Sequence, residues 1–499
     1  MDTGYHRGMT SSPASFTQPR LRLSDAALGQ VRPDVLRPDY DRSAIRIGVV
    51  HFGPGAFHRA HQAFYFDRTL ARDPGLAISA VSLHSDTVRE ALAPQDGLYS
   101  LIEREAEPTV RVVGSIREVL TAPRTPDAVF ARLTDPGLRF VTATVTEKGY
   151  CLTPQGDLDL DHADIRRDLQ GGAPPRTLAG WLTEGLRRRR ASGLRGLTVL
   201  SCDNLSGNGE RLGRSIVQFA AALGEADLAA WIEGEVVFPD TMVDSITPAT
   251  DDALRAEAAE RLGLADAWPI QRERFVQWVV ADRLGAAGEP LAAAGVILAG
   301  DVAAFERAKL RLLNGAHSTL AYVGLLRGHE SVFAAMGDPA LAAFVERLMR
   351  EDLAASLTPT PGLDAQAYVG QILARFRNSA IVHRLAQIAW DGSQKLPFRL
   401  LATTREALAA GRPVARLVVG VAAWMQFVRR QAAAGVAIVD PLAETLVAAG
   451  QACTGDAAHD VAVFLGLSAV FPPDLAADPT FRGALEGAYR QLGDGHLSP

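Results

Sequence analysis

One segment constrains the fold more than any other. Ile45-Arg-Ile-Gly-Val-Val-His-Phe52 reads as a strand, Gly53-Pro-Gly55 as a turn, Phe57 to Ala71 as a helix, and Leu76-Ala-Ile-Ser-Ala-Val-Ser-Leu83 as a second strand. Two strands joined through a helix run parallel, and the crossover is right-handed. Further strands are predicted at Thr109–Val113, Phe140–Thr146 and Leu197–Ser201, with a helix at Leu178–Ser192. This is the pattern of an open α/β sheet, whose ligands bind beyond the carboxyl ends of its strands.

After about residue 300 the strand signal stops. Ala- and Leu-rich helical segments follow at Val302–Leu326, Pro339–Ala355, Ala365–Arg375, Ala380–Trp390, Pro413–Ala433 and Asp440–Ala449. The predicted class is α/β plus all-α. Residues 1–20, rich in Ser, Thr, Gly and Pro, form a disordered tail, and Ser24–Val31 a short capped helix. Residues 21–295 form a Rossmann-like dinucleotide-binding domain, and 296–499 a helical catalytic and substrate domain.

Composition narrows the class of function. A net charge of −6 offers nucleic acid no basic field. Arg187–Arg190 reads as the solvated end of the Leu178 helix. No apolar run reaches the length of a membrane span. Cys151, Cys202 and Cys453 show no paired spacing, which points to a reducing compartment, and the first residues lack a leader pattern. A cytoplasmic location is expected, with no nucleic-acid or membrane partner.

Gly53-Pro-Gly55-Ala-Phe57-His58-Arg59 lies where a dinucleotide fold brings backbone against a pyrophosphate. The match is incomplete, because His58 occupies the third glycine position, and a ligand-free turn is the competing reading. Arg59 could add a phosphate contact or lie on the surface. Asp86 follows the second strand, where a carboxylate accepts from an adenosine ribose and disfavours a 2′-phosphate, or else caps the next helix.

The run Lys309-Leu-Arg-Leu-Leu-Asn314-Gly-Ala-His317 puts an amine, an amide and an imidazole in an apolar helix. At about 100° per residue they share one sector, with Asn314 near ~140° and His317 near ~80° from Lys309. Left unpaired, such groups cost on the order of 1–3 kcal/mol each, and a site gripping a hydroxyl would offset that. Asn204 and Glu147 each end a strand, and Asp244 sits in Phe238-Pro-Asp-Thr-Met-Val-Asp244. His51, His58 and His61 lack the spacing of a metal site, and no metal is expected.

Several of these segments are similar to one family. Val50-His-Phe-Gly-Pro-Gly-Ala-Phe-His-Arg-Ala-His-Gln62, Thr144-Val-Thr-Glu-Lys-Gly-Tyr150, Ser201-Cys-Asp-Asn204, Phe238–Asp244, Lys309–His317 and Asp391-Gly-Ser-Gln-Lys395 occur in family order. Together they resemble the long-chain mannitol dehydrogenases and the related fructuronate reductases, also called mannonate oxidoreductases. The resemblance implies metal-independent, NAD-linked oxidation of a secondary alcohol by a monomer or small homo-oligomer. It implies Lys309 as general base, Asn204 and Asn314 as holders of the developing oxyanion, His317 as the group orienting the hydroxyl, and Glu147 as a gate for proton exchange. It places Gly53, Gly55, Phe57 and Arg59 in the cofactor loop, Asp86 in the ribose segment, and Asp244 and Lys395 on the substrate side.

Val382–Lys395, with Gln387 where the mannitol branch tends to carry Arg, resembles the uronate branch. Asp266-Ala-Trp-Pro269 resembles polyol dehydrogenases equally. The leading expectation is a D-mannonate/D-fructuronate oxidoreductase, with Arg384, Lys395 or Arg377 as cation for the substrate carboxylate. A mannitol, arabinitol or sorbitol dehydrogenase is the alternative. A silent nucleotide-binding sensor would be expected to lose Lys309 or the asparagines, and a methyltransferase would leave the Lys309 helix without a task.

Overall fold

The computed structural model describes residues 20–497. The disordered tail expected at 1–20 falls, for residues 1–19, outside the described residues. The strands are β1 (Ile47–Phe52), β2 (Ala77–Ser82), β3 (Tyr99–Arg104), β4 (Thr109–Val113), β5 (Ile116–Thr121), β6 (Phe140–Ala143), β7 (Thr198–Ser201), β8 (Thr241–Asp244), β9 (Ile270–Glu273), β10 (Gln277–Ala281) and β11 (Ile297–Ala299).

The main sheet has order β5-β2-β1-β6-β7, and every pairing in it is parallel. It is covered on both faces, so its strands are continuous apolar runs. Val49 and Phe140 enter one core with Phe66 and Trp278. Val50 and Val141, one residue on, enter the other with Trp181 and Phe219. Two three-stranded sheets, β11-β10-β8 and β4-β3-β9, flank it.

The last strand is β11, and helix begins at Val302, capped by the Asp301 carboxylate on the Ala304 N–H at 3.0 Å. The helical half is built around the helix Leu417–Ala434, with Ala316–Leu326, Ala443–Ala452 and Pro479–Gly493 packed on it. Among the described residues, no helix is long and apolar enough to cross a membrane.

Four predicted elements differ. Thr109–Val113 is a strand, but it pairs antiparallel with β3 in a small sheet. The helix after the glycine turn breaks at His61, with φ −119° and ψ −87°, where the ring meets the Gln277 carbonyl oxygen at 2.8 Å. Within Ala380–Trp390 only Leu385–Ile388 is helical, because Val332 and Leu385 N–H groups bond the His383 and Glu330 carbonyls and hold the segment extended. The helix Val302–Leu326 is continuous, but Lys309–Gly315 is a π turn, so the 100° spacing does not apply there.

Candidate active site

The strand order reverses at β1, between β2 and β6. A groove of ≈ 540 Å³ opens there, at the strands' carboxyl ends, as open α/β sheets require of a ligand site. Gly53 has φ +87°, and a Cβ would stand 2.1 Å from the Thr144 carbonyl oxygen, so only glycine fits. At Gly55 a Cβ would meet nothing within 4 Å except the Gly53 oxygen, at 3.9 Å, leaving the backbone open to a bound diphosphate. Lys148 and Arg176 line the same groove.

His51 supports the turn from below. Its Nε2 lies 3.2 Å from the Gly53 carbonyl oxygen and 3.0 Å from the Thr144 hydroxyl, and its Nδ1 lies 2.7 Å from the Thr142 hydroxyl. The His58 ring stacks on it at 3.3 Å. Burial pulls the His51 pKa down to about 3 and that of His58 well below the usual value, so both rings are neutral. Among the described residues no group of three His, Cys, Asp or Glu side chains could hold a metal ion.

A second cavity, of ≈ 410 Å³, lies between the two halves and is lined by Asn204, Val243, Glu306, Lys309, Asn314 and Arg399, among others. The Lys309 amine donates to Asn204 Oδ1 and to the Val243 carbonyl, both at 2.7 Å. A π turn closes i→i+5 bonds, which brings residues five apart onto one side of the helix. Lys309 and Asn314 are five apart and face the same cavity. Burial lowers the Lys309 pKa, the Asp244 carboxylate raises it in part, and Arg375 lowers it again.

Asp203, next to Asn204, ties two strand ends together. Its carboxylate accepts from the Val145 and Thr146 N–H groups at 2.9 and 3.2 Å and from the Tyr150 hydroxyl at 2.8 Å. Thr146 has φ +66°, a costly conformation for a β-branched residue, and Asp203 holds it there.

Residues 47–292 match the mannitol dehydrogenase Rossmann domain, and residues 301–493 the mannitol dehydrogenase C-terminal domain. The D-mannonate oxidoreductase of Escherichia coli is 39% identical over 92% of this chain and 96% of that protein. The mannitol 2-dehydrogenase of Pyrenophora tritici-repentis is 37% identical over 97% of this chain and 86% of that protein. Among solved structures, the Pseudomonas fluorescens mannitol 2-dehydrogenase, in a ternary complex with NAD and D-mannitol, superposes with a TM-score of 0.77. It is 35% identical and covers 95% of this chain and 97% of that chain.

The chain belongs to the mannitol dehydrogenase family. It is an oxidoreductase acting on CH–OH groups of a polyol or sugar acid.

Measured against that family, the structure brings together Lys309, Asn204 and Asn314, and sets Gly53 and Gly55 on the nucleotide groove. Other expected residues lie elsewhere. Arg59 is fully buried, not a phosphate ligand: its Nη1 donates to the Trp268 carbonyl at 2.8 Å and its guanidinium stacks on that indole at 4.5 Å. Phe57 stacks on His61 at 4.9 Å, away from the groove lining. Asp86 is paired with Arg124, and it is His84 and Ser85 that line the groove.

On the substrate side, Asp244 does not line the cavity: both its oxygens accept from Arg375, at 2.8 and 3.0 Å. Lys395 donates to the Trp390 carbonyl at 2.6 Å. Arg384 is exposed at the start of its short helix, and Arg377 is exposed 3.8 Å from Glu346. His317 is packed between Phe376 and His383, 8% exposed and neutral, beyond the cavity lining. Glu147 is exposed in the short helix after β6.

Sequence reasoning missed Arg399, Arg375 and Asp203. The first two carry no motif, and their partners lie tens of residues away or more. Asp203 was visible beside Asn204 in Ser201-Cys-Asp-Asn204.

Proposed function

We propose that this chain is an NAD-dependent, metal-independent dehydrogenase that interconverts D-mannonate and D-fructuronate. The observation that carries the chemistry is the Lys309 amine held between Asn204 and the Val243 carbonyl, on the same cavity as Asn314. NAD in the groove supplies the hydride acceptor at its nicotinamide. Gly53 and Gly55 take its diphosphate, and His84 and Ser85 lie toward its ribose.

Neutral Lys309 removes the hydroxyl proton as the carbinol carbon loses hydride. With Asn204 Oδ1 turned to the amine, its Nδ2 hydrogens are left for the developing alkoxide, and Asn314 adds a second amide. Glu147, exposed in the short helix after β6, hands the proton to solvent. To His317, whose buried Nε2 has no hydrogen-bond partner among the described residues, we assign the orienting of the substrate hydroxyl.

The sugar-acid reading is supported by the 39% identity to a D-mannonate oxidoreductase. A mannitol/fructose reading is supported by the mannitol 2-dehydrogenases at 37% and 35% identity. NADH oxidation followed with fructuronate, tagaturonate, fructose and xylulose separates them. Fructuronate is expected to have the highest specificity constant, and a higher one for fructose would overturn the assignment.

A further inference from the structure

We infer that Arg399 is the residue that selects a carboxylate-bearing substrate, seating the carboxylate in the Lys309 cavity. The inference rests on the sugar-acid reading of that cavity. Arg399 lies in another π turn, Pro397–Leu401. Its carbonyl oxygen is 2.9 Å from where a Cβ on Gly315 would stand, so the two π turns are pressed together at a position only glycine suits. That contact delivers the Arg399 side chain into the cavity beside Lys309 and Asn314.

The guanidinium is largely buried, and among the described residues no carboxylate pairs with it. Nη1 donates to the Ser318 hydroxyl at 3.0 Å, and burial lowers the Arg399 pKa. A buried cation without an anion is costly, so the site gains when an anion arrives. The neighbouring cations are already engaged. Arg375 is held by Asp244 and Glu273, and Arg311 by Glu406. Lys395 is spent on backbone carbonyls, and Arg307, half-exposed, stands 3.6 Å from Asp301. The acids that line the cavity are engaged as well: Asp203 as described, and Glu306 by the Ser206 hydroxyl at 3.0 Å. Arg399 is therefore the open fork, and a planar carboxylate matches it in two-point geometry. A neutral polyol would leave that fork unmatched.

The test uses the full-length enzyme with NADH and two substrates, fructuronate and fructose, in wild type, Arg399→Gln and Arg399→Lys. The Gln variant is expected to lose on the order of 100-fold in kcat/KM for fructuronate, mainly through KM. The Lys variant should recover part of this, and the fructuronate-to-fructose ratio should fall in step with the loss. Ser318→Ala, which frees the guanidinium without removing its charge, should lose several-fold in the same ratio. An equal loss on both substrates would make Arg399 structural and overturn the inference, as would an unchanged ratio. A wild type that reduces fructose but not fructuronate would defeat the sugar-acid reading itself. A wild type that prefers fructuronate, with a Gln variant keeping that preference, would defeat only the role of Arg399.

Discussion

The Lys309 amine sits 2.7 Å from the side-chain oxygen of Asn204, a residue 105 positions earlier and in the other half of the molecule. The bond joins the carboxyl end of the parallel sheet to the first helix of the helical half. It also orients the Asn204 amide, so the proposed proton acceptor and one proposed oxyanion donor are set by a single contact.

Replacing Lys309 with Met keeps most of the side chain's volume and removes its base. Turnover is expected to fall by about 10²–10⁴. NADH binding, followed by fluorescence, should be unchanged, because the groove at Gly53 and Gly55 is separate from the amine. Near-wild-type turnover would refute the role of Lys309.

The pH dependence has a definite sign. Alcohol oxidation needs the neutral amine, so its rate rises with pH and levels off at a midpoint below the ordinary lysine value, because burial lowers the Lys309 pKa. Ketone reduction needs the ammonium form and falls over the same interval. Asp244→Asn removes a charge that holds the Lys309 pKa up, so the midpoint should move further down. Steady-state profiles in both directions, for wild type and variant, would show it.

Asn204→Ala and Asn314→Ala should each reduce kcat by roughly 10²–10³, the usual cost of one oxyanion donor. Because the two amides act on one oxygen, the double variant should lose less than the product of the single losses. Fully multiplicative losses in the double-mutant cycle would show that they act separately.

Arg375 sits between two buried carboxylates, bonded to Asp244 at 2.8 Å and to Glu273 at 2.7 Å. Arg375→Leu strands both acids, and urea denaturation should show a loss of about 3–5 kcal/mol. Arg375→Lys, which keeps the charge but not the fork, should fall between that variant and wild type.

Exhaustive chelation should leave turnover intact. The cavity is lined by an amine, two carboxamides, a guanidinium and the hydrogen-bonded carboxylates of Asp203 and Glu306, which do not make up a three-ligand set for catalytic zinc. Activity that is lost on chelation and restored by a divalent ion would contradict the mechanism.

The β-α-β opening and the shift to helices near residue 300 were legible in the sequence, because each rests on local periodicity. β3 and β9, the strands that place Thr109–Val113 in a small sheet, lacked strong alternation and went unread. Lys309, Asn204 and Asn314 were legible because they sit in distinct motifs. Arg59 misled because a charged residue after a glycine turn reads as a phosphate contact, and nothing local shows that Trp268, 209 positions away, covers it. Arg399 was invisible for the opposite reason: its meaning comes from Gly315 and Ser318, on another helix.

A π turn is an α-helix carrying one residue too many. Between 309 and 315 that surplus residue sets the phase of everything downstream. Wound at ordinary pitch, the same residues would turn Asn314 about 140° away from Lys309, and only the wider turn lets side chains five apart share the cavity. A variant that kept every residue but lost the wide turn would keep its apolar contacts and lose the pairing of amine and carboxamide, so the pitch of this short stretch is under a constraint that packing alone would not impose.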